Sequence, residues 1–146
     1  MIQRIQTVFL FIAALAFAAL FKFPFATSDI SAAGFLSDRD YDIYDSPVLL
    51  GMTVLGMVIA LSAIFLYKNR SLQIRLSYLV IVVGILLIVV AAILFFNQGA
   101  AIEDTVKNIN DAVGLYMPVL AFIAGFLAAR YINKDEKLIK SMDRLR

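Results

Sequence analysis

The segment from Ser46 to Phe96 reads SPVLLGMTVLGMVIALSAIFLYKNRSLQIRLSYLVIVVGILLIVVAAILFF, two long apolar runs separated by a short basic turn. Each run, at 47–67 and at 72–96, is as long as the roughly 20 residues that a helix needs to cross a membrane. Because the turn is so short, the two helices must lie side by side and antiparallel. This hairpin predicts an all-α membrane protein.

Two further apolar runs flank the hairpin, at 5–25 and at 113–132. With 62% hydrophobic residues and a mean hydropathy of +0.90, the 146 residues carry more apolar surface than a small water-soluble core can bury. We therefore predict a single domain, residues 1–146, with four transmembrane helices in an up-down bundle. A cleaved signal peptide is an alternative for the first run, but the run is long and Lys22 and Pro24 stand where cleavage would occur.

Charged residues are divided unequally between the two sides of this predicted bundle. Ten of the 13 Lys and Arg residues lie before the first run, in or next to the turn between the second and third runs, or at and beyond the end of the fourth run. Eight of the 11 acidic residues lie in the other two connections. Because cytoplasmic loops of membrane proteins are rich in Lys and Arg, both termini are predicted to be cytoplasmic.

Several classes of chemistry lack the residues that they need. The chain has no Cys and no His, which excludes disulfides, His-ligated haem, imidazole catalysis and the usual zinc sites. The apolar runs hold no ionisable group at mid-membrane depth, where Thr53 and Ser62 are the polar residues. We therefore expect no enzyme activity, no metal and no cofactor, and the sequence identifies no small-molecule substrate. A small channel or facilitator for a weakly polar solute, passing Thr53 and Ser62, is the alternative function.

The connection at 38–45 has alternating carboxylates, as at the start of a calcium-binding loop. However, Ile43 replaces the glycine of position six and Leu49 replaces the glutamate of position twelve. A solvated acidic loop is the preferred interpretation, and a weak divalent-cation site is the alternative.

Small residues at four-residue spacing predict where helices approach closely, because membrane helices associate through such positions. These residues are Ala14, Ala18, Gly56, Ala60, Ala121, Gly125 and Ala129. We expect them to pack helices within one chain, with homodimerisation as the alternative.

The tail at 133–146 predicts an amphipathic, basic helix that continues the fourth span into the cytoplasm. We interpret Asp135 as one of three acids scattered along its charged side. The tail either lies on anionic headgroups or docks a partner, and nucleic acid is not expected because acids interrupt the basic stripe. Residues assigned to this docking or membrane-surface role are Arg4, Arg130, Lys134, Lys137, Leu138, Lys140, Met142, Arg144, Leu145 and Arg146.

The opening MIQRIQT, residues 1–7, and the closing DEKLIKSMDRLR, residues 135–146, resemble a domain-of-unknown-function family of small four-span membrane proteins of Bacteroidota. The resemblance covers essentially the whole chain. It implies the four-helix fold and a bacterial inner-membrane location, and it implies no activity, substrate or cofactor.

These features together predict a non-enzymatic accessory or scaffolding subunit of a larger membrane assembly. Its expected partners are the lipid bilayer and other membrane-protein subunits, with the basic tail as the docking surface.

Overall fold

The computed structural model describes residues 3–28, 38–99 and 109–143, which contain four α-helices and three short strands. The helices are α1 (Gln3–Ala19), α2 (Pro47–Phe65), α3 (Arg70–Gly99) and α4 (Met117–Asp143). The strands are β1 (Ala26–Ser28), β2 (Asp40–Tyr41) and β3 (Ile109–Asp111). Single 3-10 turns, Ile43–Asp45 and Val113–Tyr116, precede α2 and α4.

Helix packing joins the four helices in a ring within the described residues. Helix α1 packs against α2 and α4, and α3 packs against the same two helices. Phe17, Leu49 and Leu87 are fully buried between them. The expectation that the tail continues the fourth helix is confirmed as far as Asp143.

Three of these helices, α2, α3 and α4, are long and apolar enough to cross a membrane by length and composition. Helix α1 is apolar but has 17 residues, about 25 Å at 1.5 Å per residue, which is less than a bilayer core of about 30 Å. The prediction that the first helix runs to residue 25 was wrong, because it ends at Ala19. Pro24 disfavours helical backbone at the residue before it, and tight turns replace the helix from Leu20 onward.

Small residues mark the closest approaches between helices. A Cβ atom on Gly56 would lie 2.7 Å from the ring of Phe17, so this ring of α1 packs directly against the backbone of α2. On α4, a Cβ atom on Gly125 would lie 3.1 Å from a side-chain carbon of Val80 on α3. Of the seven small residues singled out in the sequence, all except Ala18 are buried: Ala14, Gly56, Ala60, Ala121, Gly125 and Ala129.

A three-stranded antiparallel sheet, in the order β2-β1-β3, closes the end where α1 and α3 finish. The sequence predicts the helices but not these short strands, which lie in the two longer connections. The amide of Phe25 donates to the carbonyl of Tyr41 at 2.7 Å, and the Phe25 carbonyl accepts from the amide of Ala112 at 3.1 Å. The backbone that follows α1 is therefore paired with protein on both sides.

Tyr41 on β2 anchors this sheet to α3. Its hydroxyl donates to the carbonyl of Ala91 at 2.9 Å, and its ring packs between Phe25 and Phe95. Burial raises the pKa of Tyr41 above its usual range, and the charge of Asp45 adds to this effect. The tyrosine therefore stays neutral and keeps its hydrogen bond.

Asp42 and Asp45 form a reciprocal cap on the 3-10 turn that leads into α2. The Asp42 carboxylate accepts from the Tyr44 amide at 2.7 Å, and the Asp45 carboxylate accepts from the Asp42 amide at 2.8 Å. Partial burial raises the pKa of Asp45 to about 6; the hydrogen bond from Asp42 lowers it, and the charges of Asp42 and Asp38 raise it. Two of the acidic-loop carboxylates thus serve the local fold.

Gly114 allows the turn before α4 to touch the turn after α1. Its amide donates to the Pro24 carbonyl at 2.9 Å. A Cβ atom at this position would lie less than 3.0 Å from the carbonyl oxygens of both Pro24 and Phe23. Because these obstacles are backbone atoms, no side-chain movement can relieve the clash.

Gly114→Ala should therefore destabilise the protein by about 1–3 kcal/mol, the usual cost of overpacking. Gly51→Ala is the matched control, because a Cβ atom on this exposed position of α2 meets nothing within 4 Å. Ala is favoured over Gly inside a helix by about 1 kcal/mol. Thermal unfolding in detergent measures both effects, and equal melting temperatures for the two variants would contradict the proposed contact.

Candidate functional site

The start of α1 is tied to the end of α4 by two side-chain contacts. Gln6 Nε2 donates a hydrogen bond to Asp135 Oδ2. One helical turn after Gln6 on α1 and one turn before Asp135 on α4, the rings of Phe9 and Tyr131 stack with centroids 5.5 Å apart and planes 9° from parallel. The two helices are therefore antiparallel, and the α2–α3 turn lies at the same end of the molecule as these contacts.

Asp135 is buried at this end, with 7% of its surface exposed, and Gln6 is 4% exposed. The interpretation of Asp135 as a solvated acid of the tail was wrong. The spacing of the apolar residues Ala121, Ala128 and Ile132 could have predicted this burial. Asp135 continues the same buried face of α4 at intervals of three and four residues. The second carboxylate oxygen, Oδ1, has no hydrogen-bond partner among the residues that the structure describes.

A basic groove lies between α3 and another face of α4. It has a volume of about 430 Å³. Its lining residues are Tyr78, Phe126, Ala129, Arg130, Asn133, Lys134 and Lys137. The α4 members recur at helical spacing over eleven residues, so a single face of that helix forms one wall.

An exposed hydrogen bond links two residues that line the basic groove. Asn133 Nδ2 donates to the Tyr78 hydroxyl at 3.1 Å and thereby joins α4 to α3. Since the Tyr78 oxygen is the acceptor, its own hydrogen remains directed elsewhere. The surface of the groove is mainly apolar, and residues with three cationic side chains and one neutral hydroxyl contribute to its wall.

A smaller groove of about 270 Å³ adjoins the first and is lined by Leu127, Arg130, Tyr131 and Lys134. Arg130 and Lys134 line both grooves and form a ridge between them. Anions could thus approach the same two cations from either side.

The family model for a domain of unknown function, DUF4293, matches residues 2–145. The chain belongs to the DUF4293 family. The match covers nearly all of the chain and confirms that it belongs to a domain-of-unknown-function family. No curated protein and no solved structure matches this DUF4293 chain.

The predicted tail residues of the DUF4293 chain fall into two groups. Arg130, Lys134 and Lys137 come together in the basic groove, whereas Leu138 lies beyond it and is 48% exposed. The remaining members lie outside what the structure describes, either wholly (Arg144, Leu145 and Arg146) or in their side chains (Arg4, Lys140 and Met142).

Polar residues between the helices of the DUF4293 chain form hydrogen bonds to backbone carbonyls. The Thr53 hydroxyl is fully buried and donates to the Leu49 carbonyl at 2.9 Å. Ser77 does the same toward Gln73, also at 2.9 Å. Thr53 therefore lines no open path, and this geometry gives no support to the channel alternative.

The sheet end has a separate, mainly apolar cavity of about 230 Å³ between the sheet, α3 and the start of α4. Asp111 contributes a carboxylate to its wall, and Phe25, Tyr41 and Phe95 contribute rings. Within residues 3–28, 38–99 and 109–143, no three acidic side chains converge to hold a metal ion.

The pairing of Gln6 with Asp135 can be measured by a double-mutant cycle in the intact chain. Gln6→Met alone should destabilise the fold by about 1–3 kcal/mol or more, because it leaves a buried carboxylate without its donor. Combining it with Asp135→Leu should recover most of that loss, since an apolar pair leaves no polar group unsatisfied. Unfolding free energies in detergent give the coupling, and strictly additive effects would show that the two side chains do not depend on each other.

Proposed function

We propose that this DUF4293 protein is a non-enzymatic, multi-pass protein of the bacterial inner membrane that serves as an accessory or scaffolding subunit of a larger membrane assembly. The observation that supports this proposal most directly is the exposed apolar surface at the end of α4. After Asp135, the last buried residue described on this helix, Leu138 and Ile139 are 48% and 39% exposed. Two adjacent apolar side chains beside Lys137 form an unpartnered surface, which we propose as the docking site.

The proposed orientation has four membrane crossings with both termini in the cytoplasm. The distribution of Lys and Arg supports it, because ten of the 13 fall on one side. The structure of residues 20–25 supports the first crossing. Non-helical backbone is tolerated at membrane depth where protein covers it, and the backbone of Phe25 is bonded to Tyr41 and Ala112. A 17-residue helix together with this covered segment can then cross.

The absence of catalytic activity is proposed from the way that polar side chains are used. Gln6 and Asp135 bond to each other, and Thr53 and Ser77 bond to their own helices. Catalysis by side chains needs a nucleophile or base within reach of an orienting group and a space for substrate. Hydrogen bonds within the fold account for these four polar residues, so none of them needs a catalytic role to explain its presence.

Orientation can be tested by single-cysteine labelling, because the chain has no Cys of its own. Asp40→Cys and Ser141→Cys place thiols at exposed positions on opposite ends of the molecule. A membrane-impermeant maleimide applied to intact spheroplasts should label the Asp40→Cys variant, and it should label the Ser141→Cys variant only after permeabilisation. The reverse pattern would overturn the proposed orientation.

The docking surface can be tested with a polar pair and an apolar pair of substitutions. Leu138→Ser combined with Ile139→Ser should abolish co-purification of the partner in mild detergent, because the apolar contact is lost. Leu138→Met combined with Ile139→Met should retain it, since methionine preserves an apolar surface of similar size. Both changes leave the Gln6–Asp135 contact intact, whereas deleting the whole tail from residue 133 would remove it.

The measurement is quantitative mass spectrometry of the proteins that co-purify with the full-length chain. A chain that purifies alone would contradict the proposal. Equal recovery of the same partner with both pairs of substitutions would place the docking surface elsewhere and would also contradict it.

A further inference from the structure

We propose that the basic groove between α3 and α4 binds the phosphate headgroup of an anionic membrane phospholipid. This inference goes beyond the proposed function, because it concerns a different surface and needs no protein partner. It requires that α3 and α4 lie in a bilayer, which their length and apolar composition permit.

Charge in the groove favours an anion. Arg130, Lys134 and Lys137 all contribute to its lining, and among the described residues no acidic side chain lines either groove. Asp135, the buried acid nearby in sequence, faces α1 and bonds to Gln6. Arg presents a planar fork of donors that matches two oxygens of a phosphate, and Lys adds a mobile point charge.

Neutral donors complete the recognition of a phosphate. The Tyr78 hydroxyl accepts from Asn133 and can donate its own hydrogen to a phosphate oxygen. The same hydrogen bond links α4 to α3. The donors are therefore set on two packed helices, which lowers the entropic cost of binding.

The lining of the groove changes from aromatic at Phe126 to cationic at Lys137 along the membrane normal. This change favours a lipid over a soluble anion. Phe126 is half exposed and lies one turn before Arg130, toward the apolar middle of α4. Lys137 lies eleven residues beyond Phe126, about 16 Å along the helix. An amphiphile can place its acyl chain against Phe126 and its phosphate against Arg130 and Lys134, whereas an acidic peptide in water cannot reach that depth.

The ridge formed by Arg130 and Lys134 gives a further distinction among anionic lipids. Because both cations line the two adjoining grooves, a lipid with two phosphates can place one in each groove. Phosphatidylglycerol, with one phosphate, can occupy one groove at a time. Cardiolipin should therefore bind at least as tightly as phosphatidylglycerol, and both should bind more tightly than the zwitterionic phosphatidylcholine.

The experiment is native mass spectrometry of the full-length protein in detergent, titrated separately with these three lipids and with inorganic phosphate. The test variant is Arg130→Gln with Lys134→Gln. The matched control is Lys68→Gln with Arg75→Gln, which removes the same charge from two exposed residues at the same end that line neither groove. Thermal unfolding without added lipid should be unchanged in both variants, because all four side chains lie at the surface.

We expect wild-type protein to prefer phosphatidylglycerol over phosphatidylcholine. The test variant should lose about a hundredfold in affinity for the anionic lipid, since each direct hydrogen bond to a charged group contributes about tenfold or more. The control variant should keep the preference. Equal binding of the two lipids, an equal loss in both variants, or phosphate alone binding as tightly as the lipid would each overturn the proposal.

Discussion

Backbone amides and carbonyls at membrane depth must find partners within the protein, because the bilayer core offers no water. Helices α2, α3 and α4 meet this requirement along their own length, whereas α1 ends at Ala19, and turn hydrogen bonds to the carbonyls of residues 17–19 cover the amides of residues 20–23. Beyond these turns, Phe25 bonds to Tyr41 and Ala112, and β1 pairs with β2 and β3. In the proposed arrangement of four crossings, the small sheet meets the requirement for this segment, and it draws together segments that lie far apart in the chain. The close approach at Gly114 serves the same purpose, since the Gly114 amide donates a hydrogen bond to the Pro24 carbonyl.

The two ends of the molecule are held by different kinds of bond. Backbone pairing and the Tyr41 hydroxyl close the sheet end, where the chain passes between helices several times. At the opposite end, Gln6 and Asp135 join α1 to α4. Because that pair occupies the face of α4 toward α1, the cations of the same helix are left on other faces. Burial of one acid thus leaves a basic groove without an opposing charge in its lining.

Periodicity and length were sufficient to predict the hairpin of α2 and α3 and the continuation of α4, because these features repeat over many residues. The groove was partly predictable, since Arg130, Lys134 and Lys137 were identified as surface cations, but Tyr78 and Phe126 join them only through packing of α3 on α4. The sheet could not be predicted. Its strands have two or three residues, too few to show alternation, and Ala26 pairs with Asp111 across most of the chain. Asp135 was misassigned because charge was given more weight than its position on a buried face.

The bond between Gln6 and Asp135 joins residues 129 positions apart, and this separation sets an order of assembly during synthesis. At about 5–20 residues per second, Gln6 emerges from the ribosome on the order of ten seconds before the aspartate exists. During that interval α1 can pack only on the hairpin that follows it, and Gln6 lacks the carboxylate that accepts its hydrogen bond. The ring of helices closes when the last one arrives, so the first helix of this protein is also among the last to acquire its full set of contacts.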